Sequence, residues 1–168
     1  MAEIETIIGA VCETLGEALE TDVLQAWPPA AKRRHEAPVV TVSLRAGSAV
    51  AAGLAEYLGE RYDDETAAWC ETYGKRLELT LGVDVYAPAG AGGAVKCLDI
   101  VAGVIGAIPA LQAGIKVRRF TCGEARFDQA TGMFVCPADM ECACYFYADK
   151  RGDEELSGFI LKGKAVQG

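Results

Sequence analysis

Near the N-terminus, apolar positions recur at steps of three and four: Ile4, Ile7, Ile8, Val11, Cys12, Leu15 and Leu19, with acids between them. That spacing lines one face of a 3.6-residue repeat and predicts an amphipathic helix over 3–20. Trp27-Pro28-Pro29 is expected to end it, because two prolines remove donors and restrict the backbone. The period then drops to two. Val40, Val42 and Leu44 alternate with Thr41 and Ser43, which predicts a strand over 39–45. Residues 46–56, rich in Ala and Gly, fit either a loop or a short helix.

From residue 57 the pattern predicts a long hairpin, out over 57–62 and back over 69–86. On the return, Leu77, Leu79, Leu81, Val83 and Val85 share one face, and Glu78, Thr80, Gly82, Asp84 and Tyr86 share the other. Such alternation marks a sheet with one buried face. The glycine-rich stretch after Pro88 breaks the strand and reads as a flexible connection. A second helix is expected over 94–108, with Cys97, Val101, Val104, Ile105 and Ile108 as its packing stripe. Two more strands, 115–127 and 133–148, complete a second long hairpin, and 158–166 reads as an edge strand. The fold class is therefore α+β: a mainly antiparallel sheet over 39–88 and 115–149 with long β-hairpins, and two helices packed on one face, in one domain over 1–168.

One pattern occurs twice, 65 residues apart: Arg61-Tyr62-Asp63-Asp64-Glu65-Thr66-Ala67-Ala68-Trp69 and Arg126-Phe127-Asp128-Gln129-Ala130-Thr131-Gly132-Met133-Phe134. Each has an aromatic, an Asp able to bond its own backbone, a polar run with a Thr, then a second aromatic, which is hairpin-tip chemistry. Either the chain repeats a structural unit or two unrelated hairpins use common turn residues. Arg61, Tyr62, Trp69, Arg126, Phe127 and Phe134 become candidate interaction residues, since large amphipathic rings at a projecting tip suit protein contact. The plainer expectation is that each aromatic pair packs across its own hairpin.

Charge narrows the function. With 24 acids against 16 bases the net charge is −8, which repels a phosphate backbone, so direct nucleic-acid binding is not expected. Residues 1–31 hold six acids and no base, and Lys32-Arg33-Arg34 follow at once. A solvated helix face and loop explain this simply. Alternatively, an acidic face of one copy meets Lys32, Arg33 and Arg34 of another, head to tail. The acidic N-terminus does not look like an export signal. The most apolar stretch, 98–111, falls short of the roughly 20 residues that cross a bilayer and reads as a core helix.

Chemistry is sparse. Seven cysteines, an odd number, read as reduced thiols. Cys142 and Cys144 share a strand face, and Cys122 and Cys136 flank one hairpin, but no C-x2-C pairing supports zinc, and small buried side chains are the expectation. The segment after Pro88 lacks the glycine at Val95, or the Gly-Lys-Ser/Thr at Val95-Lys96-Cys97, that a nucleotide-binding loop needs. His35, the sole histidine, sits in a charged loop with no nucleophile beside it in sequence. The remaining acids, including Glu78 and Asp84 on the return strand, could form a carboxylate pair, and a polar sheet face is the ordinary explanation. No catalytic residue, metal or cofactor is expected.

The order of elements, together with Tyr57-Leu58-Gly59-Glu60-Arg61-Tyr62-Asp63, Tyr73-Gly74-Lys75-Arg76, Leu81-Gly82-Val83-Asp84-Val85-Tyr86-Ala87-Pro88 and Cys122-Gly123-Glu124, resembles small prophage tail proteins of Gram-positive bacteria. The likeness spans most of the chain, and the nearest group is the tail-terminator or tail-completion proteins. It implies an α+β virion subunit, present in the host cytoplasm during assembly and then in the tail. Its partners would be further copies in a ring, the tail tube and head–tail connector proteins. This sequence carries longer hairpins than the compact members of that group. A monomeric binding module, or a small enzyme built from Asp, Glu and Cys side chains, are the alternatives.

Overall fold

The structure, a computed structural model, describes residues 2–26, 35–65, 67–111, 114–150 and 159–160. The order is α1 (Ala2–Leu19), β1 (Asp22–Gln25), β2 (Val39–Ala51), β3 (Tyr57–Asp63), β4 (Ala68–Ala87), α2 (Gly93–Ala107), β5 (Lys116–Cys122), β6 (Arg126–Asp128), β7 (Met133–Cys136), β8 (Ala138–Lys150) and β9 (Phe159–Ile160). The fold is α+β, as the periodicities predict. All the described strands belong to one sheet, antiparallel except where β1 runs parallel to β2.

β4 organises that sheet. Its 20 residues span roughly 65 Å at about 3.3 Å each, too long for one partner on either side. On one side β2 pairs with Lys75–Tyr86 and β3 with Ala68–Tyr73. On the other, β8 pairs with Glu71–Gly82 and β7 with Val85–Ala87. β5 borders β8, and β6 borders β7.

Both helices pack on one face, at the end where β4 finishes. Ile7, Val11 and Leu15, four residues apart on α1, join Cys97, Val101 and Val104 of α2 over Val40, Val42, Leu79, Leu81, Val83 and Val85. Val11 and Leu15 have no accessible surface, and burial of each contributes about 1.5–3 kcal/mol. The opposite face carries a smaller cluster there, Val39, Tyr86, Met133 and Val135 with Leu24 against it. Neither helix packs substantially on β3, so the sheet projects beyond its helical layer as an arm built from β3, the far half of β2 and the facing parts of β4 and β8.

Several expectations need correction. α1 ends well before Trp27: Glu20 takes a left-handed conformation (φ 49°), the Thr21 hydroxyl donates to the Leu19 carbonyl at 3.0 Å, and β1 starts at Asp22. Trp27, Pro28 and Pro29 lie outside the described residues. Residues 46–51 are neither loop nor helix but continue β2, because ladder pairing with Lys75–Thr80 overrides the weak strand preference of Ala and Gly. A bulge at Arg45 shifts the register between Leu44↔Leu81 and Ala46↔Thr80.

The stretch after Pro88 is a tight turn, not a flexible connection. The Ala91 and Gly93 amides both donate to the Pro88 carbonyl, and Gly92 and Gly93 take φ of 100° and 52°, which favour glycine. Ile105 is exposed and leaves the expected packing stripe, where Ile100 and Ala107 are buried instead. The second hairpin is not continuous, since Gly123–Ala125 and Pro137 interrupt its two sides. Of the expected edge strand over 158–166, Phe159–Ile160 is described, paired with Tyr147 and Ala148.

Candidate protein-interaction surface

The two twin segments fold into the same hairpin. Arg61↔Cys70, Tyr62↔Trp69 and Asp63↔Ala68 pair in the first, and Arg126↔Val135, Phe127↔Phe134 and Asp128↔Met133 in the second. In each tip the Asp accepts from the amide two residues on: Asp63 Oδ1 from Glu65 at 3.1 Å, and Asp128 Oδ1 from Ala130 at 3.2 Å. A left-handed residue closes each, Ala67 (φ 49°) and Gly132 (φ 67°). The aromatics meet edge to face across each hairpin, with centroids 5.5 Å apart in both pairs.

Their surroundings differ. The second tip sits against the body: Met133 and Thr131 are buried, the Thr131 hydroxyl donates to Asp128 Oδ2 at 2.8 Å, and half-buried Phe134 covers Gly93, where a Cβ would meet its ring at 3.0 Å. Phe134 is thus a core contact, not an exposed tip residue, while Phe127 and Arg126 stay exposed. The first tip lies at the far end of the arm. Trp69 is 66% exposed, with Tyr62 and Arg61 exposed beside it.

The first hairpin also continues the aromatic stripe inward. Tyr57 meets Tyr73 edge to face at 5.6 Å, and the Tyr73 hydroxyl donates to Glu71 at 2.6 Å. That hydrogen bond, then desolvation, pushes the Tyr73 pKa up; desolvation, then Glu60, raises that of Tyr57. The cross-strand register puts Tyr57, Glu60 and Tyr62 on the face of Tyr73, Glu71 and Trp69. Among the described residues β3 pairs only with β4, leaving its outer edge open, as an added strand from a partner would require. Lys75 and Glu56, 3.1 Å apart, close the inner end of this surface.

The opposite face of the arm is a polar lattice. Arg76 and Arg118 approach Glu78 at 2.8 and 3.5 Å. Glu78 and Asp84 lie six residues apart on β4, about 20 Å, so they do not form a carboxylate pair. Asp84 is held instead by Arg45, whose guanidinium also binds Asp139 and rests across Gly82. Desolvation alone would lower the Arg45 pKa, but hydrogen bonds and charge from Asp84, then Asp139, carry it upward. This cluster was missed in sequence. Its signal was an arginine at the residue where the apolar alternation of β2 breaks.

Cys142 and Cys144 do share a face, but it is the core face: both are buried, and the Cys142 thiol donates to the Leu79 carbonyl. Burial raises Cys142 to about 12 and Cys12 and Cys97 to about 11. Cys122 is exposed, and Cys136 donates to the Gly123 carbonyl. Among the described residues no three His, Cys, Asp or Glu side chains gather as a metal site. His35 is half-buried. Lys32, Arg33 and Arg34 lie outside the described residues. No family model matches this chain, and no curated protein matches it either.

Proposed function

We propose that this protein is a structural subunit that works through contacts between copies and with neighbouring proteins, not through catalysis. The observation that carries this reading is the sheet arm: an aromatic face from Tyr57 to Trp69 beside a strand edge left open among the described residues, projecting beyond the two helices. Exposed Trp and Tyr rings in one patch are the side chains that dominate binding energy at protein interfaces. A strand edge adds backbone pairing that specifies direction.

The resemblance to tail-completion and tail-terminator proteins supports a narrower reading: a ring-forming subunit at the end of a phage tail tube, touching tail-tube and connector proteins. Light scattering over a concentration series, with and without added tail-tube protein, tests it. Assembly is expected, and Tyr62→Ser with Trp69→Ser should reduce it without altering the circular dichroism spectrum. A wild-type chain that stays monomeric at high concentration and ignores tail-tube protein refutes the proposal.

A further inference from the structure

α2 is apolar on both sides. Cys97, Ile100, Val101, Val104 and Ala107 face the sheet and α1, and Gly103 brings the α1 side chain of Leu19 close. On the opposite side Val95 (69% exposed), Leu98 (51%), Ala102 and Ile105 (50%) follow at steps of three, four and three, and Lys96 and Asp99 are the helix's only charged residues. A helix apolar all round belongs in an interior, yet the described residues leave this stripe open. Gly106 beside it is flat, since a Cβ there would meet nothing within 4 Å.

Resting on the assembly reading above, we infer that this stripe is the socket for the β3–β4 hairpin of a second copy of the chain. The molecule's own hairpin cannot fill it. The Cys97 thiol donates to the carbonyl of Val85, and Trp69 lies sixteen residues back along β4, roughly 50 Å away. The two surfaces match in length: the stripe from Val95 to Ile105 runs about 15 Å, and the hairpin from Tyr57 to Tyr62 about 17 Å.

They also match in charge. Glu60 and Glu71 stand directly opposite each other beside the aromatic rings, an arrangement that is unfavourable alone. The first turn of α2 holds no acid and carries exposed Lys96, while the helix's one acid, Asp99, is exposed a turn further on. A helix N-terminus and a lysine stabilise a pair of carboxylates delivered with the hairpin. Because hairpin and socket are different surfaces at opposite ends of one long strand, the contact is head to tail. Such contacts close into a ring or extend into a filament.

The test is complementation by light scattering. The hairpin variant is Tyr62→Ser with Trp69→Ser, and the socket variant is Leu98→Glu with Ile105→Glu, with Leu98→Ser and Ile105→Ser as a milder form. Each alone should weaken assembly by at least about tenfold. Mixed one to one, they should form a heterodimer and nothing larger, since one intact hairpin meets one intact socket. A mixture that stays monomeric overturns the inference, as does a socket variant that assembles like wild type while the hairpin variant does not. That second result would leave the assembly reading standing, whereas a monomeric wild type removes both. Loss of cooperative melting in both socket variants would mean that the chain covers the stripe itself, and flotation of wild type with lipid vesicles, abolished in those variants, would mean a bilayer; either result overturns the inference.

Discussion

Substituting Gly82 by alanine should change the sign of its effect on stability according to whether Arg45 is present. In β4 a Cβ at residue 82 would meet Arg45 Nε and stand 2.8 Å from Cζ, so the guanidinium must lift away from Asp84 and Asp139. Arg45 and Asp139 are partly solvated, and such pairs are worth about 0.2–1 kcal/mol each. Asp84 is more buried and keeps one other contact, the Ala138 amide at 3.3 Å. Displacement therefore costs about 1 kcal/mol, against about 0.5–1 kcal/mol recovered because alanine restricts the unfolded strand more than glycine. Gly82→Ala should be neutral to mildly destabilising in the wild type. An Arg45→Ala background removes the three atoms nearest a Cβ at residue 82, and there the same change should stabilise by about 0.5–1 kcal/mol. Urea unfolding of all four proteins, followed by circular dichroism, gives the coupling, and about 1 M salt should shrink it by screening the ion pairs. If the two effects add to within about 0.3–0.5 kcal/mol, the guanidinium does not rest on Gly82 and the account of the bulge is wrong.

Ala67→Gly should stabilise by about 1 kcal/mol in thermal melts, because Ala67 holds a left-handed conformation that its twin, Gly132, adopts without penalty. In the native protein a maleimide should modify Cys122 first, while the buried thiols react only after denaturation. Stability should also fall as pH rises. Thiols raised from 9.0 to about 11 for Cys97 and about 12 for Cys142 stay protonated in the fold while the unfolded chain ionises, so unfolding releases protons above pH 9 and the loss continues towards the folded values. Cys97→Ala with Cys142→Ala should flatten that slope in urea melts taken between pH 8 and 10.5, and an unchanged slope counts against the assignment.

The elements legible in sequence were those whose period was set by a single continuous face. Ile7, Val11 and Leu15 on α1, and Leu79, Leu81, Val83 and Val85 on β4, each pack against one layer, so their spacing reads directly as structure. Where both faces are covered the pattern loses contrast: Val39, Val40, Thr41 and Val42 are all buried. Where neither face is covered it carries no signal at all. The far half of β2, largely exposed on both faces, is a strand because β4 beside it offers a ladder, not because Ala46 to Ala51 prefer one. α2 failed in the opposite direction, since Ile105 belongs to an apolar helix and a core assignment was the natural inference, yet the sheet buries only one of its sides.

The twin tips show how far local chemistry reaches. Arg, aromatic, Asp and aromatic at matched positions produced the same register, the same Asp-to-amide bond and the same edge-to-face ring pair twice. Their fates diverge through the strand each hairpin shares. β7 is 4 residues long and joins β4 at its final residues, under α2, so Phe134 is drawn against Gly93. The first hairpin instead hangs from the start of β4, some twenty residues from the helices, where among the described residues β3 and β8 flank it. The second ring of the matched pair therefore closes the core in one place, as Phe134, and is exposed surface in the other, as Trp69. Strand length, which turn chemistry does not encode, decides between them.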